Sequence, residues 1–571
     1  MFLLLLHIKN ILKHTILLLF FCTQLFSQIA PSVGAQLNYN QVMFTYNDVP
    51  EANFYKLFLD TYDSLSAKAP LFNAIYTDSN TCTLVKNLAF GKKYVWRAEA
   101  YNQYNQLIHT SQSYSFSILR NEFNDPKIFA VKQYISKPEK YQDGIIWLDK
   151  YFCALDRAGN VVWEFPKTVK RSFMPENMVD LHMYNNGNLS FSNDTSIYYF
   201  NRNLKLIWYC NVSMLKPILK IDNFHHVFNR LPNGNFIALG ATTRKFKLDK
   251  KEAATFTYDD SSILEFDSLG KLVWHWEFSK YFDTLLIKDV LKKNGEKNNK
   301  LSVMVHCNSV SYDSTYKHLY LNCRDFNRII KIDKASKKII AEYGQKLTAT
   351  DVKVFETNLF SRQHDVKPIA TNELLLFNNG EETDKGKSNV IRILLPQNKK
   401  QTVKTTWELD LDIDTIAPGK ATKFGSAELL SNGNYLIGGG TNGRILEVTA
   451  NKEPVWDLFL KAKTLPIFDW GIFAQYRAYF SSSLYPYYFA VNVNKNNTQT
   501  LKIFNEGTNN DSYKIEFFNS LYVTPTKPVQ TLITPIIKSN LNYVTNTKNI
   551  IFKSIKITSI NSGISQWHTV K

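Results

Sequence analysis

The chain reads as an all-β protein: a six-bladed β-propeller, preceded by an immunoglobulin- or fibronectin-like β-sandwich and followed by a small β module. Three observations predict this. Aromatic residues make up 14% of the 571 residues, with 31 Tyr and 39 Phe beside abundant Val, Ile and Thr, a composition that favours strands. Short alternating runs such as Asn235-Phe236-Ile237-Ala238-Leu239 recur, while stretches of helical periodicity are few. Two phrases also repeat through the middle of the chain at a spacing that suits propeller blades.

Taken in order, residues 1–27 have the pattern of a secretory signal. His7, Lys9 and Lys13 give a basic flank. Thr15 to Phe26 is apolar but short for a bilayer span, and Ser27 is a small residue at the expected cut. Leu19-Phe20-Phe21 before Cys22 is a poor match for the small residues that precede a lipid-attachment cysteine. No later segment is long and apolar enough to span a membrane, so a periplasmic or secreted protein is expected.

Residues 30–120 alternate as half-buried strands do, in Gln41 to Tyr46, Tyr55 to Leu59 and Lys93 to Ala98; this is the expected sandwich. Residues 125–490 are the expected propeller. One phrase, Leu-x-Asn-Gly-Asn before an apolar strand, occurs at Asn186-Gly187-Asn188, Asn233-Gly234-Asn235 and Asn432-Gly433-Asn434, with Thr371-Asn372-Glu373 as a degenerate copy. Asn-Gly supplies the positive φ of a tight hairpin. The second phrase ends in tryptophan seven residues on: Asp156 to Trp163, Asn201 to Trp208, Asp267 to Trp274 and Thr449 to Trp456. Asp333 to Ile340 keeps the spacing without the Trp, and Trp407 ends a copy with a longer turn. These make six units of short antiparallel strands, the pattern of blades and not of helical solenoids. Residues 500–571 carry strand-like runs such as Ser512 to Phe517 and form the expected C-terminal module.

The formal net charge is +18. The lysines are spread along the chain, as on a solvated surface, and the same field would assist the approach of an anionic substrate. There is no basic stripe, zinc pattern or RNA-binding signature, which argues against nucleic acid as a partner. Five cysteines follow the expected cut: Cys82, Cys153, Cys210, Cys307 and Cys323. An odd number forbids complete pairing, and none forms a Cys-x-x-Cys zinc pattern. Cys307 and Cys323 could form a disulfide in an oxidising compartment or remain buried thiols.

Histidines mark the candidate site. His226 stands eight residues before Gly234 and His364 eight before Asn372, so the turn phrase puts both in one slot. His306 opens the strand of the fourth unit, and Arg324 follows Leu319-Tyr320-Leu321. If the first hairpin of each blade carries the inner strand, these groups converge on one channel. Converging imidazoles supply a nucleophile and its acid/base partner. The alternative is a polar channel lining without chemistry. His182, His275 and His318 lack the registration and read as background. Three histidines can also bind zinc, but the added cation Arg324 suits a tetrahedral oxyanion better than a metal. No metal or cofactor is expected.

At these residues the chain resembles the bacterial aryl sulfotransferase family (arylsulfate sulfotransferase), the type independent of nucleotide sulfate donors. The matching phrases are Phe224-His225-His226 before Leu231-Pro232-Asn233-Gly234-Asn235, then His306-x-Asn308-Ser309, Arg324 with Asn327 and Lys331-Ile332-Asp333, Gln363-His364-Asp365, Gly443-Arg444-Ile445 and Tyr476-Arg477-Ala478. They span roughly residues 125 to 490. The resemblance implies a six-bladed propeller with a small N-terminal sandwich. It implies that His364 is the nucleophile, taking a sulfuryl group from a phenolic sulfate ester as a transient sulfohistidine and passing it to a second phenol in a ping-pong scheme. It implies that His306 and Arg324 hold the sulfuryl oxygens with His226 assisting, and that His225 and Asn308 contact substrate. The implied partners are a phenolic sulfate donor and a phenolic acceptor, and a homodimer is compatible with it. Val227 follows His226 where an acidic residue was expected to orient an imidazole, and whether His225 or His226 faces inward stays open, with register favouring His226. Two other functions compete: an arylsulfate hydrolase on the same scaffold, and a non-catalytic surface propeller that binds sulfated glycans.

Overall fold

The computed structural model describes residues 29–47, 49, 51–62, 74–78, 81–121, 123, 129–166, 179–246, 256–281, 302–315, 317–347, 354–381, 386–462, 475–494, 500–520, 527–547 and 550–569. The signal-like segment 1–27 lies outside the described residues. Nearly all regular structure is β, and no helix among the described residues is long and apolar enough to cross a membrane. Contacts divide the chain into two compact units. One holds residues up to Asn121, Asn185–Gly187 and those from Ser482 on; the other holds Glu122–Tyr184 and Asn188–Ser481.

The first unit is built from several mainly antiparallel sheets, with Ala35–Leu37 pairing parallel to Tyr114–Ile118. Val42–Thr45 pairs with Cys82–Val85, and Phe44 packs edge-on against Trp96 and Phe116 of a second, six-stranded sheet. The C-terminal part adds a three-stranded and a four-stranded sheet, which share a core of Leu501, Ile503, Tyr513, Ile515, Phe517 and Ile555. The Tyr485 hydroxyl accepts a hydrogen bond from the Met43 N–H at 3.1 Å, so the beginning and the end of the chain belong to one body.

The second unit is a β-propeller. Its sheets, one per sequence unit, are called blades 1 to 6 here. Blade 1 contains Ile145–Leu148, Cys153–Leu155 and Val161–Glu164, with Ala478–Ser481 added on the inner side. Blade 2 runs Val179–Met183, Leu189–Ser192, Ser196–Phe200, Leu206–Asn211, and blade 3 Asn223–Arg230, Phe236–Phe246, Phe256–Phe266, Leu272–Glu277. Blade 4 runs Cys307–Tyr312, His318–Cys323, Arg328–Asp333, Ile339–Gly344, and blade 5 His364–Ala370, Glu373–Asn378, Asn389–Leu394, Lys404–Asp410. Blade 6 runs Ser426–Leu429, Tyr435–Gly438, Arg444–Val448, Pro454–Ala462 and ends on Phe129–Ser136, the first strand of the propeller in sequence. The ring therefore closes twice, by the first strand on blade 6 and by the last strand on blade 1.

Each repeated phrase has a physical task. The Asn-Gly turns join inner to second strands, and Gly234 and Gly433 adopt φ of 90° and 86°. The tryptophan phrase is the hairpin into the outermost of a blade's own strands. Its first residue caps the turn: Asp156 Oδ1 accepts from the N–H of Ala158 and Asn160, and Asp267 Oδ1 from Leu269 and Lys271. In blades 3, 5 and 6 the tryptophan then reaches the same turn in the next blade, whereas the buried Trp163 indole N–H has no hydrogen-bond partner. Trp274 Nε1 donates to the Lys334 carbonyl, Trp407 Nε1 to Ala450, and Trp456 Nε1 to Arg157 at 2.7 Å, which carries the pattern from blade 6 round to blade 1. Trp208 instead lies flat on the Gly270 turn, where an added Cβ would come within 2.8 Å of its ring. The spacing of seven is thus the distance from one inter-blade lock to its cap. Apolar clusters fill the seams as well: Leu239, Ile263 and Trp276 of blade 3 pack on Cys307, Leu319 and Leu321 of blade 4. Burying each such side chain contributes roughly 1.5–3 kcal/mol.

Among the described residues all five cysteines are buried and none forms a disulfide. The Cys307 and Cys323 sulfurs face each other at 3.2 Å across paired strands.

Candidate functional site

The inner strands are Ala478–Ser481, Val179–Met183, Asn223–Arg230, Cys307–Tyr312, His364–Ala370 and Ser426–Leu429, which neighbour one another round the ring. Several are bulged near their beginnings. In blade 3 the pairing steps from His225↔Leu239 to Phe228↔Ala238, leaving His226 and Val227 unmatched. In blade 5 it steps from His364↔Phe377 to Lys367↔Leu375, and in blade 4 from Cys307↔Cys323 to Ser309↔Asn322. His226, His306 and Asp365 take positive φ of 60°, 52° and 52°. Such left-handed conformations cost about 1–3 kcal/mol each and gather where function fixes the backbone. By strand register the counterpart of His364 is His225, because the blade 3 bulge holds two extra residues where the blade 5 bulge holds one. The equal count of eight from each turn is therefore a sequence coincidence, and the bulge, not the count, turns His226 toward the cluster.

The sequence-predicted histidines and Arg324 come together. The His226 and His306 rings lie 5.2 Å apart, and Tyr476 bridges them to His364, with ring centroids 5.9 Å from His226 and 6.3 Å from His364. His225 stands behind His226, their Nδ1 atoms 2.9 Å apart. The Arg324 N–H donates to the His306 carbonyl, and both side chains engage Asp325: Arg324 donates to Oδ1 at 2.7 Å and His306 Nδ1 lies 3.4 Å from Oδ2. Asn308, read from sequence as a substrate contact, is fully buried. Its amide donates to the Gln363 carbonyl and accepts from Asn322, so it ties blade 4 to blade 5 beneath the cluster.

The surroundings fix the protonation of the central imidazole. His364 Nδ1 faces the Asn379 Oδ1 at 2.6 Å and the Arg362 carbonyl at 3.2 Å. The Asn379 amide nitrogen donates to the carbonyls of Ala421 and Phe424, which leaves its oxygen for His364. Both atoms facing Nδ1 are acceptors, so Nδ1 carries the proton and the Nε2 lone pair is free. Burial, then the charge of Arg324, hold His364 well below the ordinary imidazole value; His226 is lowered by burial and by its neighbouring histidines. Burial, then His306, bring His225 down to about 4. Burial opposes ionisation of Asp325, yet the hydrogen bond from His306 and the charges of Arg324 and Arg362 hold its carboxyl well below the carboxylate range.

Sequence reasoning missed four residues here. Asp325 orients His306 and Asn379 orients His364; the acid missing after His226 is thus supplied to a different histidine. Arg362 adds a second guanidinium on Asp325 at 2.6 Å. Tyr476, whose hydroxyl is buried without a hydrogen-bond partner, forms the wall between His226 and His364, with Phe424 edge-on at 5.0 Å. Only adjacency to Arg324 could have signalled Asp325; nothing local marks Asn379. The arrangement offers one unprotonated imidazole nitrogen, a carboxylate-backed histidine, a guanidinium and an aromatic wall. Among the described residues no group of His, Cys, Asp or Glu is spaced to hold a metal ion.

Comparison with known proteins bears on this arrangement. No curated protein matches the chain. Similar solved structures include a protein of unknown function from Bacteroides caccae (11% identity, TM-score 0.35, covering 55% of this chain and 93% of that one) and a luciferin-regenerating enzyme (9% identity, TM-score 0.29, 61% and 100%). Another is the β-propeller domain of Cps50 (Swd1) from Myceliophteria thermophila, at 9% identity and TM-score 0.21, covering 62% and 87%. The family model described as Arylsulfotransferase (ASST) matches residues 131–454, more than half of the chain and most of the propeller. The chain therefore belongs to the arylsulfotransferase (ASST) family, and the activity that follows from membership is sulfotransfer.

Proposed function

We propose that this protein moves a sulfuryl group from a phenolic sulfate ester to a second phenol by a ping-pong route through His364. The observation that carries this reading is the hydrogen bonding of His364. With Nδ1–H donated to Asn379 and the Arg362 carbonyl, Nε2 is left as the nucleophile. Its lone pair forms a bond to sulfur as the ester S–O bond breaks, and the electrons of that bond leave on the phenolate. A proton reaches the phenolate from the far nitrogen of His306, whose ring Asp325 orients through Nδ1. The imidazole now bears SO3⁻. An acceptor phenol gives its proton back to the same group, attacks sulfur, and releases His364. Arg324 supports the sulfuryl oxygens, whose charge builds as sulfur becomes five-coordinate. The aromatic wall of Tyr476 and Phe424 suits a flat aryl ring.

The test is mass spectrometry of protein incubated with 4-nitrophenyl sulfate and quenched at alkaline pH. One added SO3 on His364, discharged by phenol, is the expected result. Transfer with no adduct on His364, or with full turnover by His364→Ala, would overturn the nucleophile assignment. Release of free sulfate with no new ester in the presence of excess phenol would make the protein a hydrolase. The signal-like N-terminus supports export, and we place the reaction outside the cytoplasm; finding the mature chain with residues 1–27 still attached would count against it.

A further inference from the structure

The bulges that shape the site leave backbone carbonyls of neighbouring blades facing the propeller axis, and one side chain takes up two of them. Arg477 lies just before Ala478–Ser481, the inner strand that completes blade 1, and it is 2% exposed. Its NH1 donates to the His226 carbonyl at 3.0 Å and its NH2 to the Asn308 carbonyl at 2.6 Å. These are the unmatched residues of the blade 3 and blade 4 bulges. NH1 also donates to Asp180 Oδ1 at 2.5 Å, and Nε faces Asp365 Oδ1 at 3.6 Å. Asp180 and Asp365 are in turn the bulged, positive-φ residues of blades 2 and 5, with φ of 63° and 52°. One guanidinium therefore gathers the irregular residue of four blades while anchored in a fifth. Its backbone is held as well, the N–H donating to the buried Asp149 at 2.9 Å.

We propose that Arg477 is a positioning residue of the sulfotransfer site: by holding the His226 and Asn308 carbonyls it fixes how far apart His226 and His306 stand around the sulfur atom. It is not a second support for the sulfuryl oxygens, because both terminal nitrogens are engaged by protein acceptors and Nε faces a carboxylate. Asn308 is two residues beyond His306, so a shift of its carbonyl carries the His306 backbone with it. Without the guanidinium the two carbonyls and two carboxylates at the axis repel one another and the bulges relax. A displacement of reacting groups by about 1 Å costs on the order of 10²-fold in rate.

This inference rests on the site assignment given above, and the experiment separates the two. Turnover of 4-nitrophenyl sulfate with phenol is measured for wild type, His364→Ala, Arg477→Met, Arg477→Lys and Asp180→Asn, each checked for folding by circular dichroism. An active His364→Ala overturns the site assignment. With that assignment intact, folded Arg477→Met is expected to lose about 100-fold in kcat with little change in donor KM. Added guanidinium ion should restore part of the loss, and Arg477→Lys, which can reach one carbonyl but not both, should fall between. A folded Arg477→Met with kcat within about threefold of wild type, or an equal loss in Arg477→Lys with no rescue by guanidinium, overturns the positioning role. If Arg477→Met does not fold, Asp180→Asn decides: lower kcat at unchanged KM supports the clamp, and wild-type kcat removes it.

Discussion

Replacing Asn379 by alanine removes the 2.6 Å hydrogen bond that holds His364 Nδ1–H and leaves that N–H with only the longer contact to the Arg362 carbonyl. The same change frees the carbonyls of Ala421 and Phe424, which the Asn379 amide caps at 2.7 and 3.1 Å. A buried polar group left unmatched costs about 1–3 kcal/mol. The share that falls on His364 competes directly with its working tautomer and ring orientation, and each 1.4 kcal/mol is about tenfold in population. The expected loss in kcat is therefore roughly 10- to 100-fold, with donor KM changed little because Asn379 reaches no substrate. Asn379→Asp should be worse, since its second oxygen would face two carbonyl oxygens where the amide now donates. Initial rates of nitrophenol release over a range of donor concentrations, with thermal melts alongside, measure this. A folded Asn379→Ala enzyme whose kcat stays within about threefold of wild type would refute the tautomer argument on which the nucleophile assignment stands.

Arg324→Ala should lower kcat by about 10²–10³-fold, read in the same assay, since one oxyanion donor is lost; an unchanged rate removes Arg324 from the chemistry. The depressed histidines make the fold acid-sensitive. Their folded pKa values lie below the unfolded value of 6.5, so the unfolded chain takes up protons first; stability is complete above that value and falls as pH drops below it. With His225 at about 4, that residue alone should withdraw about 1–2 kcal/mol by about pH 5; equal denaturant midpoints at pH 7.5 and pH 5 would contradict this. Trp456→Phe should cost about 1 kcal/mol or somewhat more by deleting the 2.7 Å bond to the Arg157 carbonyl across the blade 6 to blade 1 seam, seen as a lower denaturant midpoint with unchanged slope.

Much of the scaffold was readable from residue patterns because each pattern has a local cause. Asn-Gly marks a positive-φ turn whatever surrounds it, and the tryptophan phrase is a capped turn and its lock to the neighbouring blade. The site was half readable. His226, His306, His364 and Arg324 could be picked out because each falls near the start of an inner strand or, for Arg324, at the end of the strand paired with one. What oriented them could not, since Asn379 acts across a hairpin and Arg477 across most of the ring. The bulges also escaped notice. A bulge is an extra residue relative to a partner strand, so it exists only as a relation between strands. That is why counting from the turns matched His226 with His364, whereas the strand register matches His225 with His364. The inclusion of the C-terminal sheets in one unit with the N-terminal sheets likewise depends on contacts between residues hundreds of positions apart.

The order of synthesis gives the double closure a further meaning. Phe129–Ser136 emerges early yet has no sheet to join until Pro454–Ala462 is made, and blade 1 stays without its inner strand until Ala478–Ser481 follows. Arg477 arrives in that same final stretch. If Arg477 positions the site as proposed, the histidines would reach working distance only when this final stretch joins the ring, and a nascent chain stopped before residue 475 would carry every imidazole of the site and still be inert.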